Sequence, residues 1–270
     1  MVTREVSVIL LDIRNFTDNY SYFNSKNDKR FHLFIEEICS EGLKLSQNIS
    51  KNENIYFNST GDGFIIIFSS ELHYIECYLF ALLFNYFFIG KSLKFEAETK
   101  TKISFGMGIE SGIVDRLNIT GKSSTICTYL GDVINHVSRI ESLTKIFADT
   151  TLIIGNRMNH LLVEKLYDFD YDSISDTVTN DPVYNPDKID LLNNTNKAML
   201  LKYSSKFILK GINNPTPLFR LSSYLLRKRD DLFISLINLL SEKLNRTDFI
   251  NEYMSNFDRR ESSIKKFLNG

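Results

Sequence analysis

The chain has 270 residues, a formal net charge of −1, and 43% hydrophobic and 13% aromatic residues, which is enough apolar material for a folded core. The near-neutral charge excludes a global basic field, so we expect no nucleic-acid partner. Three scattered cysteines without CxxC spacing argue against a disulfide framework and a zinc site, and favour a reducing compartment. The N-terminus has no signal-peptide pattern, and the longest apolar run, Tyr78 to Ile89, is shorter than the ~20 residues that cross a bilayer. We therefore expect a cytoplasmic protein without membrane insertion.

The first predicted element is a strand over residues 6–11, a mostly aliphatic run that ends in the carboxylate of Asp12. Such a run predicts a strand buried on both faces, with Asp12 at the edge of the sheet. Further on, the turn Thr60–Gly63 separates two β-rich runs and places Asp62 at the tip of a hairpin. If the hairpin pairs with the first strand, Asp12 and Asp62 converge. Two carboxylates with few other ligands are typical of a Mg²⁺ or Mn²⁺ site that leaves room for substrate phosphates.

The hydrophobic pattern predicts further elements after Asp12. Residues 18–27 are polar and predict a loop. A helix, the two hairpin strands and a second helix that is apolar on almost every side follow at about 29–50, 54–58, 63–68 and 72–93. Next come an alternating strand, its continuation past a bend, a loop and a short strand, at about 102–110, 112–114, 118–124 and 125–130.

The second half of the chain begins with a predicted helix over 131–146, on which Asn135 and Arg139 are four residues apart and share one face. A strand, a helix, an exposed polar insertion and a closing hairpin follow at about 151–154, 156–167, 168–197 and 200–221. The last segment is a helical extension with an apolar stripe from Leu232 to Leu244, which we expect to pack on the rest of the protein or on a partner.

The order of these elements predicts the fold class. Strand, helix, hairpin, helix and strand in succession are typical of an α+β domain with a ferredoxin-like βαββαβ core, in which helices pack on an antiparallel-rich sheet. We expect this domain to span residues 1–222 and the C-terminal helical extension to span residues 223–270.

Five short segments resemble, in order along the chain, motifs of the class III nucleotidyl cyclase catalytic domain. They are Leu11–Thr17, Thr60–Phe64, Gly106–Gly112, Tyr129–Ser142, and Leu209–Gly211 together with Pro217–Phe219. Each segment is short, but the ordered set covers about residues 5–221.

The resemblance implies roles for individual positions. Asp12 and Asp62 match the aspartates that bind two divalent ions, Mn²⁺ or Mg²⁺, and the backbone carbonyl of Ile13 matches a further metal ligand. The implied nucleotide contacts are the backbone turn at Phe16 and Thr17 for the phosphates, Asn135 for the ribose, Arg139 for the α-phosphate and Lys210 for the phosphates. The resemblance also implies a head-to-tail homodimer, whose composite sites combine the metals of one subunit with Asn135, Arg139 and the base pocket of the other.

Two base-reading positions differ from those of purine cyclases in the family. Where adenylate cyclases carry lysine and then aspartate or threonine, and guanylate cyclases carry glutamate and then cysteine, this chain has Asn58 and Thr128. The amide of Asn58 offers a donor and an acceptor to a uracil edge, and Tyr56 or Phe57 is expected to narrow the pocket. The chain in this respect resembles the bacterial pyrimidine cyclases of antiphage (Pycsar) defence. That resemblance implies a product that is cyclic UMP or cyclic CMP and that a separate effector reads, and we expect UTP, converted to cyclic UMP, as the substrate.

Two alternative functions stay open. Thr128 is also compatible with adenine reading, which would make the protein an adenylate cyclase that forms cyclic AMP from ATP. A cyclase-like domain that binds nucleotide without turnover is less favoured, because such domains typically lose a metal aspartate or the Asn–Arg pair, and this chain keeps Asp12, Asp62, Asn135 and Arg139.

Arg139 and Lys210 also have ordinary structural interpretations. Arg139 could be a surface arginine that pairs with Glu141 or Asp132, and Lys210 could be a solvated lysine at the end of a strand.

Overall fold

A computed structural model describes residues 2–50, 54–121, 125–146, 151–166, 201–207, 209, 216–221 and 231–255. The strands are β1 (Val2–Ile13), β2 (Ile55–Ser59), β3 (Gly63–Phe68), β4 (Phe105–Thr120), β5 (Thr125–Leu130), β6 (Leu152–Ile154), β7 (Leu201–Phe207) and β8 (Thr216–Leu221). The helices are α1 (Phe16–Ser25), α2 (Arg30–Ile49), α3 (His73–Thr99), α4 (Asp132–Leu143), α5 (Asn156–Leu161) with a π-helical turn at Leu162–Leu166, and α6 (Asp231–Lys243). Residues 247–255 are also helical.

The strands form one sheet in the order β2-β3-β1-β4-β6-β8-β7, and β5 extends it by pairing with β4. Of the described strand pairs, β4–β6 is parallel and the others are antiparallel. The predicted α+β fold with an antiparallel-rich sheet is confirmed. Its first four strands, in the order β2-β3-β1-β4, have the ferredoxin-like arrangement.

Both faces of β1 are covered, which explains its continuous aliphatic run. Ile9 and Leu11 join the large cluster on the side of α2 and α3, whereas Val6 and Val8 join a smaller cluster under α4. The strand therefore lies at the centre of the sheet with helices on both sides, and its polar end at Asp12 is the point where it leaves the core.

Helix α3 is apolar on nearly all sides because other elements surround it. It packs against α2, against the sheet and against α6. From the C-terminal part of the chain, the buried side chains of Leu236, Ile237, Leu240, Ile250 and Met254 belong to the same large cluster as α3. No helix among the described residues is long and apolar enough to cross a membrane.

Two expectations for the connecting segments are wrong. The predicted loop over 18–27 is largely α1, whose Phe16 and Phe23 pack against Phe31 at ring-centroid distances of 5.5 and 5.8 Å. The bend expected at 112–114 and the loop expected from 118 are also absent, since β4 continues to Thr120 and pairs with β5 along its second half. The polar insertion over 168–197 lies outside the described residues.

Candidate active site

The site begins where β1 pairs with β3. Asp12 lies opposite Gly63, and the backbone N–H of Ile13 donates to the carbonyl of Asp62 over 2.8 Å. A Cβ at Gly63 would lie 1.9 Å from the carbonyl oxygen of Leu11, so only glycine lets the hairpin approach β1 this closely. Gly61, with φ of 94°, provides the left-handed residue of the turn. The structure therefore brings Asp12 and Asp62 together, as the sequence predicts.

The two carboxylates form an electrostatically strained pair. Burial raises the pKa of Asp12, the nearby charge of Asp62 raises it further, and Lys145 acts in the opposite direction. Among the described residues no group of three or more His, Cys, Asp or Glu side chains could hold a metal ion, so these two stand without a third carboxylate ligand. Hard oxygen donors that repel each other, with few competing ligands, fit Mg²⁺ or Mn²⁺ that also binds substrate oxygens.

The N-terminus of α1 lies next to the carboxylates in sequence and in space. The helix begins at Phe16, and Asn15 before it has the left-handed conformation with φ of 55°. The first backbone N–H groups of a helix lack acceptors within it and carry its positive dipole end, so they suit phosphate oxygens. Because the ring of Phe16 stacks on Tyr20 and packs against Phe31, it is the backbone at Phe16 and Thr17 that is available to a ligand.

Charged groups that the sequence analysis did not select surround Asp12. The Lys145 Nζ lies 3.1 Å from Asp12 Oδ2, and Arg14 Nη2 donates to the carbonyl of Thr144 over 2.5 Å. Glu141 is buried nearby, and burial followed by the charge of Asp12 raises its pKa to about 7. In the sequence, Glu141 and Lys145 are four residues apart and so share a helical face, but this spacing does not reveal that the end of α4 meets the end of β1.

Helix α4 presents Asn135 and Arg139 away from the sheet. Val133, Val137 and Ile140 are buried, whereas Asn135 is exposed and Arg139 is half-buried on the opposite side. Within the described residues Arg139 forms no ion pair. Its suggested partner Glu141 is buried and lies near Asp12, so the surface-pair interpretation is not supported.

The structure does not bring Asn135 to the aspartates of its own chain. A Cβ at Gly112 would meet Val133, which places the start of α4 over Gly112, and Gly112 pairs with Val6 on β1. Val6 is six residues from Asp12, or roughly 20 Å along an extended strand. Asn135 is therefore far from the carboxylates within one subunit.

The base-reading positions lie on β2 and β5. The rings of Tyr56 and Tyr129 are 5.1 Å apart, so side chains of the two strands meet on the α4 side of the sheet. Asn58 shares the Tyr56 side of β2 by strand alternation and is exposed. Of the two residues suggested to narrow the pocket, Phe57 has its ring packed against the core, 5.1 Å from that of Phe64, which leaves Tyr56 as the candidate.

The structure gives less support to the predicted nucleotide contacts of Thr128 and Lys210. Thr128 is half-buried, pairs with Leu117, and alternates with Tyr129, so its side chain lies on the other side of β5. No hydrogen bond joins Thr128 and Asn58 in the described part of the chain. Lys210 lies outside the described residues, and its role stays a prediction.

Comparison with known proteins shows which fold carries this site. No family model and no curated protein matches the chain. The adenylyl cyclase CyaB from P. aeruginosa matches with a TM-score of 0.55 at 15% identity, over 82% of this chain and 95% of that one. The guanylate cyclase domain of RhGC from Catenaria anguillulae, in complex with GTP, matches with a TM-score of 0.53 at 15% identity, over 82% and 98%. A rhodopsin-guanylyl cyclase core with converted specificity, in complex with ATPαS, gives 0.52 at 15% identity, over 82% and 97%. The chain therefore has the fold of adenylyl and guanylyl cyclase catalytic domains.

Proposed function

We propose that the protein is a nucleotide cyclase that converts a nucleoside triphosphate to a 3′,5′-cyclic nucleotide and pyrophosphate. The observation that carries this proposal is the β1–β3 register that sets Asp12 beside Asp62 in a fold shared with cyclases. In the reaction the ribose 3′-oxygen forms a bond to the α-phosphorus, and the bond from that phosphorus to the bridging oxygen breaks. Pyrophosphate leaves with the electron pair, and the 3′-hydroxyl proton is released.

Asp12 and Asp62 are the proposed ligands of two divalent cations, Mn²⁺ or Mg²⁺, with the carbonyl of Ile13 as a further ligand. When bound, such cations acidify the 3′-hydroxyl and offset the charge of the triphosphate. The backbone N–H groups at Phe16 and Thr17 are proposed to hold phosphate oxygens at the positive end of α1. The half-exposed positions of both carboxylates support this assignment, since a ligand can reach them from solvent.

The remaining catalytic groups are proposed to come from a second copy of the chain. Asn135 would orient the ribose, Arg139 would offset charge that grows at the α-phosphate, and Lys210 would contact the phosphates. Two observations support the composite site. Asn135 lies on the outer side of α4, and it is distant from Asp12 of its own subunit. A homodimer with two-fold symmetry would create two equivalent sites.

The β4–β5 hairpin offers a surface for this dimer. Its exposed apolar residues are Ile113, Ile119, Ile126 and Leu130, which are 56%, 58%, 62% and 57% exposed. Strand register places them on one side of the hairpin, because Ile119 pairs with Ile126 and Leu130 pairs with Asp115, two residues from Ile113. We expect these side chains, all on one side of the hairpin, to form part of the dimer interface.

The proposed substrate is UTP, the product is cyclic UMP, and the biological role is a second messenger in bacterial antiphage defence that a separate effector reads. Asn58 supports the pyrimidine assignment because it is exposed beside Tyr56 and lacks the positive charge of the adenine-reading lysine. Adenylate cyclase activity is the alternative, since Thr128 is compatible with adenine.

The test is to incubate the protein with ATP, GTP, CTP and UTP together, at equal concentrations and with Mn²⁺, and to separate the products. Cyclic UMP as the main product supports the full proposal, and cyclic AMP as the main product replaces the substrate but keeps the reaction. If folded protein forms no cyclic nucleotide from any of the four, the enzyme proposal fails and the non-catalytic nucleotide-binding alternative replaces it.

A further inference from the structure

Lys145, which is not among the proposed catalytic residues, lies beside Asp12. It follows α4 by two residues, its side chain is 52% exposed, and its Nζ lies 3.1 Å from Asp12 Oδ2. This ammonium therefore contacts a carboxylate that the proposed function assigns to a metal ion. An ammonium and a divalent cation cannot share one carboxylate oxygen at close range without strong repulsion.

The backbone that carries Lys145 is fixed from several directions. Thr144 is buried, its N–H donates to the carbonyl of Glu141 over 2.8 Å, and its own carbonyl accepts from Arg14. A Cβ at Gly106 would lie 2.0 Å from Thr144 Oγ1, so the turn sits directly on β4. The Cα of Lys145 is thus anchored beside the site, while its exposed side chain is free to change rotamer.

The surrounding charges distinguish Lys145 from Arg14. Three carboxyl groups meet at this site, those of Asp12, Asp62 and Glu141. Arg14 is half-buried and held by the carbonyl of Thr144, so it stays in place when ligands arrive. Lys145 is the cation that can leave Asp12 and reach a neighbouring anion.

We propose that Lys145 is an additional phosphate-binding residue, which neutralises Asp12 in the metal-free protein and turns to the triphosphate when a divalent cation binds Asp12 and Asp62. The inference rests on the proposed function, because it takes the two aspartates as metal ligands. Lys145 comes from the same subunit as those aspartates, whereas Lys210 is proposed to come from the other one. In the metal-free protein, the ammonium group of Lys145 thus occupies the place beside Asp12 that a divalent cation must take.

The test measures binding without turnover. The variants are Lys145→Met and Lys145→Arg, and the control is Lys94→Met, which removes another exposed lysine in an ion pair, with Glu98 at 3.8 Å. Mn²⁺ binding is titrated by electron paramagnetic resonance without nucleotide at about pH 8, where carboxylates of ordinary or moderately raised pKa are ionised. Binding of inorganic tripolyphosphate is then measured by calorimetry at saturating Mn²⁺, a probe that does not depend on the base.

The proposal predicts opposite changes in the two measurements. For Lys145→Met, Mn²⁺ should bind roughly fivefold more tightly and tripolyphosphate roughly fivefold more weakly, the size of one partly exposed ion pair. Lys145→Arg should retain wild-type behaviour in both, and Lys94→Met should change neither. Unchanged or weaker Mn²⁺ binding in Lys145→Met, or unchanged tripolyphosphate binding, overturns the role of Lys145. Wild-type protein that binds no Mn²⁺ would instead refute the metal assignment of the proposed function, and this inference with it.

Discussion

At the scale of single residues, the two aspartates combine a functional geometry with an electrostatic cost. They sit side by side because Gly63 lets the hairpin approach β1, and their charges repel at that position. Sites with such neighbouring like charges are typical of function, since stability alone would favour a neutral pair.

Asp12→Ala and Asp62→Ala are each expected to abolish cyclic nucleotide formation, because each removes a proposed metal anchor. Neither is expected to unfold the protein, since each change relieves charge repulsion at a half-exposed position. Product formation and thermal unfolding are measured together, with Glu37→Ala as the control for loss of an exposed carboxylate elsewhere, on α2. A folded variant that cyclises at a near wild-type rate would refute the assignment.

Asn58→Lys is expected to raise the use of ATP relative to UTP. A lysine at this exposed position offers only donors, whereas uracil is read best by a group that also accepts. Unpaired buried polar groups cost about 1–3 kcal/mol each, so a change of roughly tenfold or more in the ratio is expected. The ratio of cyclic AMP to cyclic UMP from an equal mixture reports it, and an unchanged ratio would mean that Asn58 does not read the base.

Glu110→Gln is expected to change how stability depends on pH. Glu110 is buried, Oε1 accepts the N–H groups of Ser111 and Met158 at 2.8 Å each, and burial raises its pKa from 4.5 to about 7. The native state therefore keeps a proton that the unfolded state releases above about 4.5. The stability that this group contributes is complete below that pH and falls as the pH rises to about 7.

The glutamine variant keeps both accepted hydrogen bonds and lacks this fall. Its stability relative to wild type should therefore rise by on the order of 3 kcal/mol between about pH 4.5 and 7, measured by urea unfolding at several pH values. His73, whose burial lowers its pKa from 6.5 to about 4, acts in the opposite direction between those pH values, but it is present in both proteins and cancels in the difference. A pH-independent difference would show that Glu110 is ionised in the folded protein.

At the scale of elements, the described part of the C-terminal segment belongs to the main core. Leu240 of α6 is fully buried in the cluster that contains α3, whereas Asn238 on the same helix is exposed. The proposed boundary near residue 222 thus divides the chain by sequence pattern, while the hydrophobic core continues across it.

Leu240→Ala is expected to lower the free energy of unfolding by about 2–5 kcal/mol, the usual cost of emptying a buried leucine position. Asn238→Ala is the matched control and should change it by less than about 0.5 kcal/mol. Urea denaturation measures both. If Leu240→Ala has the stability of the control, α6 is only loosely attached to the core.

Much of this architecture follows from the sequence, and the exceptions have physical causes. Periodicity located α2, α3 and the hairpin strands because their apolar faces are long and regular. Helix α1 was missed because its polar residues outnumber the aromatic residues that anchor it, and the length of β4 was missed because glycines within the strand resemble a bend. A Cβ at Gly112 would meet Val133, so this glycine serves helix packing.

The candidate site likewise has features that the sequence predicts and features that it does not. The convergence of Asp12 and Asp62 was predictable, because a strand end and a tight turn leave few ways to pair. The position of Lys145 was not, since it depends on how α4 lies across β4, where a Cβ at Gly108 would come within 2.6 Å of the Val137 carbonyl oxygen. Side chains that meet through helix packing leave no spacing signal in the sequence.

At the scale of the whole molecule, the proposed dimer makes each site depend on both chains. Mixing the inactive variants Asp12→Ala and Arg139→Ala is expected to restore activity, because a mixed dimer contains one intact pair of aspartates opposite one intact Arg139. With random mixing, about half of the dimers are mixed, and each has one working site of two, so roughly a quarter of wild-type activity should return.

The measurement uses tagged chains, co-purified so that mixed dimers are identified before assay. Each variant alone provides the baseline. No recovery in isolated mixed dimers would show that the aspartates and Arg139 act within one chain.

The central position of β1 has a consequence for the synthesis of the protein. β1 leaves the ribosome before β3, with which it pairs on one side, and before β4, with which it pairs on the other side as far as Arg116. The core that it begins is completed only by α6. At about 5–20 residues per second, the interval between the emergence of β1 and that of α6 is on the order of 10–50 s. In the early part of that interval, until β4 emerges, this aliphatic strand lacks one of its neighbours and is open to other chains, so we expect the nascent protein to depend on cellular chaperones more than the finished one.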